Sequence, residues 1–248
     1  MNILLKPRWI VFHILVLVLS LLFIRLGIWQ WHRHLNRQAS NAIIRERLDL
    51  PAEDYLSLKQ QGLKLEDANV QHSSLYRRVR ITGLYEPDKQ VYIRNRSYQG
   101  QPGYHLLTPL RLEHGEQLLI ERGWIPIDQP EVTTPRGEVL LEGVLFATQH
   151  QPTGSIGAKD PPTGALKEIV WIDRERLSEQ MGGNLEPVYL RLTKQEPAQE
   201  GDLPIYPALP NLDIGSHLGY MIQWFGFALI AIIGYLALMR SLIRNQAS

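Results

Sequence analysis

A long apolar run near the start of the chain predicts a first membrane helix. Between residues 9 and 24 the only polar side chains are those of His13 and Ser20, and the apolar run resumes after Arg25. Residues 9–29 make a segment of about 21 residues, or roughly 31 Å of helix. That length is enough to cross a hydrocarbon core of about 30 Å. We therefore predict a transmembrane helix at 9–29.

A second apolar run begins at residue 218 and carries Gln223 as its only strongly polar side chain, which predicts a transmembrane helix at 217–239.

The first run has a rival interpretation as a cleaved signal peptide, because Lys6 and Arg8 precede it. Bulky and cationic residues follow its apolar core, however, where signal peptidase requires small ones. An uncleaved membrane anchor is favoured.

The charges that flank the two runs give opposite indications of orientation. Acidic residues precede the second run and Arg240 and Arg244 follow it, which places the C-terminus in the cytoplasm. More cationic residues follow the first run than precede it, which favours the reverse orientation. Because the contrast around the second run is cleaner, we expect residues 1–8 and 240–248 in the cytoplasm. The region from 30 to 213 is then periplasmic, and the lack of an Arg- and Ser-rich presequence favours a bacterial inner membrane.

The polar region between the runs alternates turn sequences with short segments rich in β-branched and aromatic residues. Seven of these segments predict strands, at residues 78–85, 90–96, 104–112, 117–127, 139–146, 168–172 and 187–192. Short connections without long helices favour an antiparallel sheet curled into a partial barrel. Short helices are predicted at 51–61 and after Asp173, where Gly182 ends the pattern. The predicted class is an α+β membrane protein.

Composition excludes several kinds of chemistry. The chain has no cysteine, which rules out disulfides, thiol catalysis and thiolate metal sites. A formal net charge of +1 gives no indication of nucleic acid binding. His72, His105, His114 and His150 are scattered singly, without the spacing of a metal-binding pair. Since no nucleophile accompanies a base, an enzyme is not predicted.

The start of the second membrane helix carries the main candidate chemistry. At 100° per residue, His217, Tyr220 and Trp224 fall within about 60° of one another, whereas Gly219 and Gly226 fall nearly opposite. The glycine side suits close helix–helix approach, with Gly27 of the first helix as a candidate counterpart. The histidine side is either an interfacial aromatic belt with a polar neighbour, or an axial ligand for haem with aromatic rings against the macrocycle.

Depth in the membrane restricts which histidine could be a second haem ligand. In an antiparallel pair of helices, His217 lies level with the end of the first helix, where His32 and His34 follow. His13 lies near the opposite surface, roughly 25 Å away by helix rise. His32 or His34 is therefore a possible second ligand, and His13 is not.

Four motifs occur in order between the two runs. They are RLGIWQWHR at 25–33, the strand segments YRRVRITGLYEPDKQVYIRNR and GYHLLTPL, LLIERGWIP at 118–126, and HLGYMIQWFGFA at 217–228. Together they resemble the surfeit locus protein 1 family of cytochrome c oxidase assembly factors. Gly27, Trp29, Gln30 and Arg33 match its Leu-Gly-x-Trp-Gln-x-x-Arg signature. Gly123 and Trp124 match its Gly-Trp pair, and Met221 replaces a small residue.

The resemblance implies a role while the catalytic subunit of the oxidase is being built. It implies haem a as a transiently bound group, with His217 as the candidate iron ligand, and it implies the catalytic subunit and the haem a synthesis or insertion machinery as partners. A haem-independent membrane scaffold for oxidase subunits is the alternative. A transmembrane sensor is disfavoured, because only about nine residues follow the second run, and a membrane enzyme would need a base that the sequence does not provide.

Overall fold

The computed structural model describes residues 6–61, 75–128, 132–151 and 157–247. His72 lies outside these residues. The chain forms two compact units. One unit comprises the chain up to Ala42 and from Leu212 onward, and the other comprises Ile43–Asn211.

Two long helices dominate the first unit. Helix α1 spans Pro7–Asp49 and helix α4 spans His217–Ala247. Both are long and apolar enough to cross a membrane, which confirms the two predicted helices in length and composition. Helix α1 continues without a break beyond residue 29, so the predicted boundary there marks a change of composition rather than the end of an element. The last residues of α1, from Ile43, belong to the second unit.

The second unit is a mixed sheet with short helices at its edges. Its strands are β1 (Glu53–Asp54), β2 (Arg78–Tyr85), β3 (Val91–Tyr98), β4 (Gln101–Arg111), β5 (Gln117–Pro126), β6 (Glu138–Ala147), β7 (Glu168–Ile169) and β8 (Leu185–Glu196). Helix α2 spans Tyr55–Gln60 and helix α3 spans Arg174–Met181. All seven predicted strands are present, although β7 is shorter than predicted and β8 is longer.

Five of the strands close into a ring. Their order is β2–β6–β8–β5–β4, and Leu84 and Tyr85 of β2 pair with Arg111 and Leu110 of β4 to complete the circuit. Three pairings are parallel rather than antiparallel, and the longest of these joins β5 to β8. Parallel neighbours need a crossover connection. Between β5 and β8 the chain returns through β6, which runs antiparallel to β8.

The strands pack apolar side chains on both of their faces. One cluster fills the ring and includes Leu118, Ile120 and Leu190. A second cluster lies against α3 and includes Leu119 and Leu177. Strand β5 is buried along nearly its whole length because its alternate side chains enter different clusters. Any polar side chain in β5 is therefore buried as well.

Helix α3 has the ends that the sequence predicts. The side chain of Asp173 accepts a hydrogen bond from the backbone nitrogen of Arg176, at 3.2 Å, which satisfies a donor in the first turn. Gly182 ends the helix with a φ of 63°, in the left-handed conformation that glycine adopts without strain. Leu177 and Met181 are buried, so these caps place α3 over the second cluster.

Candidate functional site

His217 lies at the contact between the two membrane helices. Its Nδ1 is 2.9 Å from Oε1 of Gln30 on α1. An amide oxygen is an acceptor, so Nδ1 must carry the hydrogen and donate it. The neutral ring then has its lone pair on Nε2, which is the nitrogen that can bind a metal. Gln30 thus fixes the tautomer in the way that an outer-shell partner does in metal sites.

The three residues of the predicted aromatic face are divided by the structure. Trp224 packs between the helices, with its ring stacked on Phe23 of α1 at a centroid distance of 5.7 Å. Tyr220 lies at the flank of this contact and is 49% exposed. His217 and Trp224 therefore face α1, and Tyr220 faces outward from the pair.

The predicted role of the glycine side of α4 is wrong. A Cβ added to Gly219 or Gly226 would meet no atom within 4 Å, so neither glycine lies in a helix contact within the described chain. Gly27 does lie in the contact, because a Cβ there would come 2.7 Å from Cε1 of Phe225. Large aromatic side chains of α4 pack against the small residue of α1, and this reverses the predicted arrangement.

The contact face of α1 repeats every seven residues. His13, Ser20, Gly27, His34 and Asn41 occupy it at heptad spacing, and Ser20 and Asn41 are buried. The side-chain nitrogen of Asn41 donates to the carbonyl of Leu212 at 2.7 Å. The residues of this face are small or polar, so hydrogen bonds contribute to the pairing of the helices along with ring packing.

The other histidines of the helix unit occupy three different environments. His34 lies on the contact face, one turn beyond Gln30, and its buried Nδ1 has no hydrogen-bond partner among the described residues. Its ring stacks on Trp31 at 5.9 Å. His32 is exposed on another side of α1. His13 lies far along the pair, with its Nδ1 3.1 Å from the hydroxyl of Tyr235.

The remaining residues of the first motif point away from α4. Trp29 is 51% exposed, and the guanidinium of Arg33 lies 5.9 Å from its ring centre. Within this motif, Gly27 and Gln30 make the contacts with α4. The structure therefore divides the motif into a helix-packing half and an outward-facing half.

Gly123 and Trp124 attach a distant segment of the chain to β5. The φ of Gly123 is 147°, and a Cβ there would lie 2.2 Å from the carbonyl oxygen of Ile205. Trp124 exchanges two backbone hydrogen bonds with Ile205, at 2.7 and 2.9 Å. Only glycine at 123 lets the backbone of Ile205 approach so closely. This pair therefore fastens the segment before α4 to the ring of strands.

A buried charged cluster occupies three neighbouring strands. Glu121 on β5 is 2% exposed, and it accepts hydrogen bonds from Nδ1 of His105 at 2.6 Å and from Nε of Arg191 at 2.8 Å. Burial acts to raise the pKa of Glu121, but the hydrogen bond from His105 and the charge of Arg191 outweigh it and hold that pKa below its usual value. The guanidinium of Arg191 also lies 4.2 Å from the ring centre of Phe146.

Sequence reasoning did not find Glu121, Arg122 or Arg191, and it placed His105 among histidines that are scattered singly without metal-binding spacing. A usable signal was present. Glu121 and Arg122 are adjacent charges inside LLIERGWIP, a strand that is otherwise apolar on both faces. Charges in such a strand are buried, and buried charges need partners on neighbouring strands.

These features define a class of protein: a ring of strands with two long apolar helices, one of which carries an oriented imidazole. The SURF1 family model matches residues 17–229 of this chain. Since that match covers most of the 248 residues, the chain belongs to the SURF1 family.

Relatives of similar length occur in two bacterial genera. A SURF1-like protein of Mycobacterium tuberculosis is 29% identical over 235 residues, which cover 93% of this chain and 83% of the relative. A SURF1-like protein of Rickettsia bellii is 28% identical over 240 residues, covering 91% and 90%. The yeast cytochrome oxidase assembly protein SHY1 is 43% identical over 51 residues, which are 20% of this chain and 13% of the yeast protein.

Proposed function

We propose that this protein takes part in the assembly of cytochrome c oxidase, and that it binds haem a through His217 while the haem is inserted into the catalytic subunit. Membership of the SURF1 family and the name of the yeast relative support the assembly role. The observation that carries the haem role is the hydrogen bond from His217 Nδ1 to Gln30 Oε1. It leaves Nε2 with a lone pair for iron.

Haem a is the cargo in this proposal, so the protein has to hold it and release it. His217 would supply the iron ligand, and the exposed ring of Tyr220 would lie against the macrocycle. His34 is the better candidate for a second ligand, because it shares the contact face of α1 with Gln30 and its Nδ1 has no partner in the part of the chain that the structure describes. His32 is exposed on another side and is the weaker candidate.

The proposal includes a place and a set of partners. Helices α1 and α4 would cross a bacterial inner membrane with both chain ends in the cytoplasm, and the strand unit would be periplasmic. Partners would be the oxidase catalytic subunit and the machinery that makes or inserts haem a. The charge contrast around α4 supports this orientation.

The test is a visible absorption spectrum of the full chain purified from cells that make haem a. We expect a haem spectrum for the wild type and its loss in His217→Ala, because the iron ligand is gone. His114→Ala, at an exposed position of the strand unit, is the matched control and should keep the spectrum. Absence of haem from the wild type, or equal occupancy in His217→Ala, would contradict the haem role.

Gln30→Leu tests the orientation of the ring separately from the ligand itself. Loss of an outer-shell partner typically weakens metal binding about 10–100-fold. We therefore expect Gln30→Leu to retain less haem than the wild type and more than His217→Ala. Wild-type retention in Gln30→Leu would mean that the hydrogen bond has only a helix-packing role.

A haem-independent scaffold is the second candidate function, and one observation favours it. His217 already has a structural role, since its hydrogen bond joins α4 to α1. The discriminating experiment is recovery of oxidase subunits with the purified protein from cells unable to make haem a. Equal recovery with and without haem a favours the scaffold, whereas recovery that needs haem a favours the haem-binding role.

A further inference from the structure

Arg122 is a fully buried cation inside the ring of strands. Its guanidinium lies 5.2 Å from the ring centre of Tyr85, a member of the cluster that fills the ring. Its Nη1 donates to Oε1 of Gln90 at 3.2 Å, and its Nη2 donates to the carbonyl of Thr133 at 2.8 Å and to Oε1 of Gln199. Every one of these acceptors is a neutral oxygen.

The positive charge of Arg122 has no counter-ion in the described part of the chain. Within those residues, no Asp or Glu lies at salt-bridge distance from the guanidinium, and Nε has no hydrogen-bond partner. Burial lowers the pKa of Arg122, as expected where water is excluded and no carboxylate compensates. Buried charges in proteins are normally paired, so a fully buried guanidinium with neutral partners is an unusual arrangement.

A crevice of about 410 Å³ adjoins this cation. It lies between the loops at 133–136 and 197–200. Thr133 and Gln199 line the crevice, and both accept hydrogen bonds from Arg122. The amide nitrogen of Gln199 also donates to the Thr133 carbonyl at 2.9 Å, so this side chain stands between the guanidinium and the crevice.

We propose that the crevice binds a small organic carboxylate, whose oxygen takes the place of Gln199 Oε1 on Arg122. A carboxylate has the planar shape of the amide that it replaces, and its negative charge supplies the counter-ion that the neutral amide cannot. The volume lies in the lower part of the range for small-molecule sites. Arg136 also lines the crevice and adds a second cation, whereas Glu200 is the one acidic residue that lines it among the described residues.

Acetate is the probe, tested on the full chain in lipid nanodiscs. The Tm of the wild type is followed by tryptophan fluorescence as acetate replaces chloride at constant pH and ionic strength. We expect the Tm to rise with the logarithm of the acetate concentration above Kd, by roughly 5 °C at about 100 times Kd. Gln199→Glu places a carboxylate on Arg122 within the chain, so we expect a raised Tm in chloride and no further rise with acetate.

Gln101→Glu makes the same substitution at an exposed position and should keep the wild-type response to acetate. Gln199→Ala removes the neutral occupant, so its Tm should begin to rise at a lower acetate concentration than that of the wild type. Equal acetate responses in the wild type and Gln199→Glu would overturn the site. A Gln199-dependent response to inorganic phosphate as large as that to acetate would overturn the carboxylate class. A rise in Tm with a glutamate-containing peptide but not with acetate would overturn the assignment to small carboxylates.

Discussion

Replacing Gly123 with alanine is expected to destabilise the strand unit by about 3–5 kcal/mol. A residue with a Cβ at a φ of 147° is strained, at about 1–3 kcal/mol. The new Cβ would also lie 2.2 Å from the carbonyl oxygen of Ile205, so the segment that carries Ile205 has to move. That movement breaks the two backbone hydrogen bonds with Trp124, each of which contributes about 0.5–1.5 kcal/mol.

The measurement is urea unfolding of the full chain in nanodiscs, followed by tryptophan fluorescence. Gly115→Ala is the matched control. Its φ is 88°, yet an added Cβ would meet no atom within 4 Å, so it carries the backbone strain without the collision. Equal losses of unfolding free energy in Gly123→Ala and Gly115→Ala would show that the contact with Ile205 contributes nothing.

Glu121→Gln is expected to destabilise the protein by about 3 kcal/mol. The two side chains have nearly the same shape, so packing is retained. The substitution removes the negative charge that neutralises Arg191, whose side chain is 21% exposed, and breaking a buried ion pair from one side typically costs about 3–5 kcal/mol. The lower end of that range applies because solvent partly reaches Arg191.

The control for Glu121→Gln is the same change in another ion pair between neighbouring strands. Glu142 lies 3.3 Å from Arg80, whose side chain is 59% exposed. Exposed pairs contribute about 0–1 kcal/mol, so Glu142→Gln should have little effect. Similar losses of unfolding free energy in the two variants would contradict the view that the Glu121 cluster is a stabilising one.

The Glu121 cluster also predicts how stability depends on pH. The pKa of Glu121 is lower in the folded state than the ordinary glutamate value of about 4.3. A depressed carboxylate pKa contributes stability above the unfolded value, and that contribution is lost as pH falls through the folded value. Wild-type unfolding free energy should therefore fall more steeply than that of Glu121→Gln below about pH 4.3.

Much of the fold follows from local patterns in the sequence. The two apolar runs predict α1 and α4 because runs of that length and composition are typical of membrane helices. The turn sequences separate the strands correctly. The caps of α3, Asp173 and Gly182, are also readable in the sequence. The parallel pairing of β5 with β8 is not readable in the sequence, since strand direction depends on the path of the connection rather than on residues within the strands.

The candidate site was only partly predictable. Helical spacing groups His217 with Trp224 but cannot say which side of α4 meets α1. The glycines suggested the opposite side, yet Phe225 fills the space left by Gly27 and Trp224 stacks on Phe23. The partners of Glu121 and Arg122 come from distant strands and loops, so their pairing appears only once the chain is folded.

A pair of hydrogen bonds that joins α1 to α4 within the described residues has a mechanical consequence for His217. The bond between His13 and Tyr235 and the bond between Gln30 and His217 lie 17 positions apart on α1, or roughly 26 Å. A displacement of 1 Å at either bond alters the crossing angle by only about 2° over that distance. Sliding one helix along the other would therefore break both bonds at once. The position of the imidazole along α1 is thereby set partly from the opposite end of the helix pair, at Tyr235.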